Sequence, residues 1–284
     1  MLSERAILVC LSLGLPPMAK IDKRITRKNE QDHGTAAGRL KTTKRLLPDQ
    51  ALKPVQELDR EIEEYHRKNT CAWGEGERIL NSAIYLEFSD RLRQFRMRRE
   101  TLVEEFVRNY LLYVDEARRQ LNGAFDPRDY LPQERIASRF TLKVEYKPVP
   151  DAGDFRVTIV REAMDELRES VNRRVEEAER GIRRDIASRI AKPLAHMVNR
   201  LNDPDADFRD SLVGNLREIC DLIPKLNMLG DPQVEATRQQ IYADLYRADT
   251  GLLKENRIVR GDTARKAQDI LDKMQDYFGA EDAA

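Results

Sequence analysis

Six kinds of residue in this chain could carry chemistry. His66 and Cys71 stand five apart, a spacing at which an imidazole could activate a thiol. No nucleophile elbow and no second histidine accompanies them, so a loop thiol is the plainer reading. "GTAAGRLKT" imitates a phosphate loop, but Gly34 and Gly38 are three residues apart and Arg39-Leu40 precedes Lys41-Thr42. A Walker loop needs four residues and then Gly-Lys-Ser/Thr. Three histidines and three scattered cysteines lack the paired spacing of a structural zinc site, so neither metal nor cofactor is expected. Glu75 with Glu77, and Asp203, Asp205 and Asp207, read as loop and capping acids.

The fifth group is basic. From Lys20 to Lys53 there are ten Lys or Arg against four acids, and "RLRQFRMRRE" puts five arginines in nine residues. Lys41, Lys44, Arg45, Arg91, Arg93, Arg96, Arg98 and Arg99 are therefore the candidates for tracking a nucleic-acid backbone. Glu100, Glu104 and Glu105 follow at once, and the chain carries 50 basic and 50 acidic residues. A solvated, ion-paired face competes with that reading. The sixth group is an aromatic loop, "YHRKNTCAWGEG", with Tyr65, His66, Asn69 and the sole tryptophan, Trp73. Such a tryptophan anchors a loop or stacks on a partner.

The elements that must hold these residues are mostly helical. With 35% charged residues, 6% aromatics and a mean hydropathy of −0.66, the composition suits long helices that each bury one stripe. Three cysteines, an odd number, favour a reducing compartment. "AILVCLSLGL" at 6–15 resembles a signal-peptide core, yet a buried strand ending at Pro16-Pro17 is the better reading, and no span crosses a membrane.

Residues 1–19 are expected to hold that strand, and 20–48 to form a basic arm or connector. Residues 49–279 form a helical body with a β-hairpin at 139–160, and 280–284 a frayed tail. The spacing predicts helices from Leu52 to about Tyr65, from Phe88 to Leu121 with Arg99 the one break in the stripe, and from Met164 to Leu201. Pro193 should kink or break the last of these. Shorter helices follow from Phe208, from Asp231-Pro232 and from Asp262-Thr263. Gly123 is expected to cap the second helix.

"RFTLKVEYKP" alternates as a half-buried strand, and "FRVTIV" at 155–160 reads as its partner. Between them "PVPDAGDF" is a turn. Prolines stop the strand, Asp151 folds onto nearby N–H groups, Gly153 supplies positive φ and Asp154 closes the loop. Pro150, Asp151, Gly153, Asp154 and Arg156 are the turn's candidates for contacting a partner. The fold class expected is mostly α (α+β): long antiparallel helices and one small antiparallel sheet built on a hairpin.

"AILVCLSL", "KIDKRIT", "LLPDQALKPV", "YHRKNTCAWGEGERIL", "FRDSLVGNLREICDLIPKLNMLGDP" and above all "PVPDAGDFRV" together resemble the family catalogued as domain of unknown function 3150. That resemblance runs to about residue 275. It implies a phage or mobile-element protein, without catalytic activity, encoded near a MoxR-type AAA+ ATPase and a protein with a von Willebrand factor A domain. It implies an adaptor or accessory role in the bacterial cytoplasm, through protein partners and self-association. The alternative is a nucleic-acid-binding protein using the basic arm and the arginine-rich helix.

Overall fold

A computed structural model describes residues 1–74, 76–153, 161–203, 206 and 209–281. The protein is 68% helical, with one four-stranded antiparallel sheet and one two-stranded ribbon, so the mostly-α class with a small sheet holds. In chain order the elements are α1 (Leu2–Arg5), β1 (Ala6–Gly14), β2 (Ala19–Ile21), α2 (Lys23–Asp32), β3 (Thr43–Arg45), α3 (Lys53–Lys68), β4 (Cys71–Gly74), β5 (Glu77–Asn81), α4 (Tyr85–Leu121), α5 (Gln133–Ile136), β6 (Thr141–Pro148), α6 (Arg161–Asn202), α7 (Ser211–Leu226), α8 (Pro232–Asp244), α9 (Thr250–Glu255) and α10 (Arg257–Glu281). They group into two compact units. One comprises Met1–Cys10, Arg67–Phe88 and Glu145–Ala284, the other Leu11–His66 and Ser89–Val144.

The sheet order is β4-β5-β1-β6. The apolar run at the N-terminus is a strand, as its composition predicts, and it sits between β5 and β6. Ala6 faces Asn81 and Val9 faces Arg78. The β4-β5 hairpin falls where the sequence suggests only a glycine-broken loop. Gly76 supplies the positive φ (+71°) that lets Trp73 and Ile79 lie on paired strands. β6 neighbours β1, and its expected partner at 155–160 lies outside the described residues, with Asp154, Arg156 and Phe208.

At the turn, Asp151 Oδ1 accepts from the Gly153 N–H at 2.7 Å, and Asp151 Oδ2 accepts from Ser3 Oγ. Gly153 itself is a correction. Among the described residues the glycines at positive φ are Gly34, Gly38, Gly76 and Gly230, so the turn here is made by the Asp151 side chain rather than by left-handed backbone at Gly153.

In the first unit, Ala178, Ile182, Ile186, Ile190, Leu194, Met197 and Leu201 of α6 are all buried, against α7, α8 and α10. α10 runs antiparallel to α6. Arg260 Nε donates to the Leu201 carbonyl, while Tyr277 and Arg183 meet on Asp231. Pro193 does not break α6. A proline interior to a helix costs about 3 kcal/mol. Ile190, Leu194 and Met197 around it are 0% exposed, and burying each side chain returns roughly 1.5–3 kcal/mol. α10 begins five residues earlier than its Asp262 signal suggests, because the Asn256 side chain caps it by accepting from Ile258 N and Val259 N.

In the second unit, α3 and α4 lie antiparallel. Leu92, Phe95, Phe106, Tyr110 and Ala117 of α4 are buried, with Arg99 in the same stripe. α4 ends at left-handed Asn122 (φ 44°), not at Gly123. The stretch read as an arm or connector at 20–48 is built. Asp22 caps α2 by accepting from Arg24 N and Ile25 N, and β2 pairs with β3 from Ala19–Arg45 to Ile21–Thr43.

Candidate functional site

Trp73 lies on β4, at the edge of the sheet, where Cys71 and Trp73 point inward and Ala72 and Gly74 outward. Two arginines fix that strand's approach. Arg189 of α6 donates to the carbonyls of Arg67, Lys68 and Thr70, and Asp185 holds the same guanidinium at 2.9–3.0 Å. Arg78 donates to the Thr70 hydroxyl at 2.7 Å and to the Thr70 carbonyl at 2.8 Å. These bonds take up carbonyls left over at the end of α3 and set the entry of the chain into β4.

Between β4 and α6 lies a cleft of about 750 Å³ lined by Ala72, Trp73, Gly74, Ser170, Arg173, Arg174, Glu177, Ala178 and Gly181. On α6 those residues fall on one face by their three- and four-residue steps. Trp73 is 8% exposed, and its indole Nε1–H is buried with no hydrogen-bond partner among the described residues. An unmet buried donor of this kind costs about 1–3 kcal/mol. Arg174 Nη2 is 3.8 Å from Glu77 Oε2, while Lys147 already holds Glu77 Oε1 at 2.7 Å. Arg173 is exposed and makes no ion pair among the described residues.

Tyr65, His66, Asn69 and Trp73 were expected in one loop. The structure puts Tyr65 and His66 in the last turn of α3, Asn69 just after it and Trp73 on a strand. Tyr65 packs edge-on against Phe95 at 5.6 Å, and His66 and Asn69 are buried. Burial pushes the Cys71 thiol up to about 12, which leaves it a thiol and not a nucleophile. Of the turn candidates, Pro150, Asp151 and Gly153 lie before α6, with Gly153 exposed.

The basic candidates are held largely by acids. Lys44 is half-buried, with Nζ 2.7 Å from Asp129 and 3.2 Å from Asp22, and it donates to the Ala124 carbonyl. Lys20 closes on the other Asp129 oxygen at 2.6 Å. Backbone N–H groups at Ile25 and Arg24, with Lys44, hold Asp22 below the usual carboxylate range. Burial works against the Asp129 carboxylate, yet Lys20 and Lys44 outweigh it and its pKa also falls. Arg45 pairs with Asp49, Arg93 with Asp90, and Arg91 and Arg98 both reach Glu61. Arg99 is buried on Asp59. Lys41 and Arg96 are exposed, and Arg96 lines a groove with Glu100 and Glu104.

Among the described residues no three His, Cys, Asp or Glu are placed to hold a metal ion, and no helix is long and apolar enough to cross a membrane. The sequence reading missed Ser170, Arg173, Arg174, Glu177 and Gly181. Their signal was there, as adjacent arginines one turn from a serine and an acid, with a glycine interrupting a helix that has no structural need of one.

Comparison of the chain with protein-family models, with curated proteins and with solved structures gives no match.

Proposed function

We propose that this chain is a non-enzymatic helical interaction protein and that it takes hold of a partner protein in the cleft between β4 and α6. The observation that carries this is Trp73, which lines that cleft and whose buried indole N–H has no acceptor among the described residues. A ligand whose entry uncovers that N–H and supplies an acceptor relieves a cost already present in the free protein. The resemblance in "PVPDAGDFRV" and "FRDSLVGNLREICDLIPKLNMLGDP" narrows the proposal. The partner is a component of a MoxR-type AAA+ ATPase system of a phage or mobile element, with a von Willebrand factor A protein and a second copy of this chain as further contacts in the bacterial cytoplasm.

The test is co-expression of the tagged chain with the MoxR-type ATPase and the von Willebrand factor A protein encoded beside it. Capture that weakens in Trp73→Phe, which keeps a ring and removes the N–H, supports the reading. No capture by the unaltered chain overturns it.

Nucleic-acid binding is the second reading, and exposed Lys41 and Arg96 favour it. It is weakened because Lys44 and Arg99 are spent on internal pairs. If it holds, binding to duplex weakens on the order of a thousandfold between roughly 50 and 200 mM salt. Changing Lys41, Lys44 and Arg45 to Ala then flattens the slope.

A further inference from the structure

We infer that the occupant of the β4–α6 cleft is an acidic peptide in extended conformation. It would lie along the open edge of β4 with its carboxylates on Arg173 and Arg174. The inference rests on the protein-binding reading and names the chemistry of the partner.

Three features of the cleft converge on that ligand. First, β4 is the last strand of its sheet and pairs only with β5 among the described residues. One side of its backbone is therefore open to an added strand, the arrangement by which extended peptides join a sheet edge. The exposed positions Ala72 and Gly74 are small, so they leave room on the outer face of the strand, where a Cβ at Gly74 would make only ordinary contact with Arg174 Nη2 at 3.8 Å.

Second, the lining carries two guanidinium groups against the single carboxylate of Glu177, in a chain whose net charge is zero. Arg173 makes no ion pair among the described residues, although Glu177 stands one turn away, and Arg174 shares Glu77 with Lys147 at the longer distance. Guanidinium forks of this kind take carboxylates two N–H groups at a time.

Third, Trp73 lines the cleft and its buried N–H has no acceptor among the described residues; a peptide whose entry shifts the ring and uncovers that N–H provides one in a carbonyl or carboxylate. A volume of about 750 Å³ holds a few residues of an extended chain and excludes a nucleic-acid duplex.

Because Trp73 is the sole tryptophan, its emission reports the cleft directly. The full chain is titrated with a hexaglutamate peptide, with a Gly-Ser peptide of the same length, and with inorganic polyphosphate. The expected result is a saturable change in emission with hexaglutamate, none with Gly-Ser, and roughly tenfold or greater loss of affinity in Arg173→Gln/Arg174→Gln. Both arginines are exposed, so the double variant keeps the fold, which an unchanged far-UV spectrum verifies.

Three outcomes overturn the inference: no saturable change, an affinity untouched by the double variant, or a response to polyphosphate equal to that for hexaglutamate. Capture of the partner ATPase or von Willebrand factor A protein that survives the double change sinks this inference and leaves the protein-binding reading standing. Absence of any capture by the unaltered chain sinks that reading itself.

Discussion

Arg99 and Asp59 form a two-pronged ion pair inside the second unit. Nε lies 2.7 Å from Oδ1 and Nη2 3.1 Å from Oδ2, with the side chains only 5% and 9% exposed. The same Nη2 donates to the Gly14 carbonyl at 2.9 Å. A charge that interrupts an otherwise apolar helical stripe is thereby explained: it ties α3, α4 and the end of β1 together. Removing one partner leaves the other charge buried and unpaired. Asp59→Ala or Arg99→Leu should each cost about 3–5 kcal/mol, and Asp59→Leu combined with Arg99→Met should recover most of that loss. Urea unfolding of the three variants checks it. Additive losses in the double variant would contradict the pairing.

The Lys44 cluster sets a pH window for stability. Asp22 and Asp129 have depressed folded values, so they contribute above the unfolded carboxylate pKa of ~3.9, and the contribution is lost as pH falls through the folded values. Lys44 is the opposite case: burial opposes its charge, but Asp129 and Asp22 outweigh that and raise its pKa. Its contribution is full below the unfolded ~10.4 and is lost as pH rises through the folded value. Melting temperature should therefore hold level through neutral pH and fall at both ends. Asp22→Asn, which keeps a capping oxygen, should flatten the acid limb, and Asp22→Ala should also lose the cap at about 0.5–2 kcal/mol.

Thiol chemistry should separate the three cysteines. Burial pushes Cys71 to about 12 and Cys220 to about 11, so at pH 8 roughly one molecule in a thousand or fewer carries either thiolate. Cys10 is only partly buried, donating to the Gly76 carbonyl at 3.2 Å. Intact-mass analysis after brief alkylation should show one adduct in the native protein and three in denaturant. Rapid loss of Cys71 would refute its burial.

Two glycines should answer to alanine with opposite signs. At Gly181, inside α6, an added Cβ meets nothing within 4 Å, so Gly181→Ala should stabilise by about 1 kcal/mol. At Gly14 the added Cβ would sit 2.4 Å from Thr141 Oγ1, and something must shift. Gly14→Ala should lower the melting temperature, most visibly alongside a Thr141 that cannot turn away.

What the sequence disclosed, and what it hid, follows from the range of the forces involved. Helical stripes were legible because burial repeats every three to four residues, as from Phe88 to Ala117 and from Ala178 to Leu201. The Asp231-Pro232 start and the strand at 6–14 were legible from local chemistry. The β4-β5 hairpin was not, since Gly74 and Gly76 suit a hairpin turn as well as a loop, and only pairing with β1 decides between them. α2 was hidden despite its Asp22 cap because it lacks a sustained apolar stripe, and the contacts that fix it, Arg24 to the Gly123 carbonyl and Lys44 to Asp22, come from far along the chain. The cleft was half legible: Trp73 stood out by rarity, whereas Arg173 and Arg174 looked like ordinary surface until β4 was placed against α6.

The placement of β1 has a consequence for how the chain is made. Residues 6–9 leave the ribosome well before their partners at 78–81, which follow about seventy residues later, and β6 comes only at 141–148. At ~5–20 residues per second, that apolar segment waits several seconds for its first neighbour and longer for its second. Through that interval Ala-Ile-Leu-Val-Cys-Leu is a sticky unpaired segment, and the yield of native protein in a cell depends on what shields it before translation reaches β5.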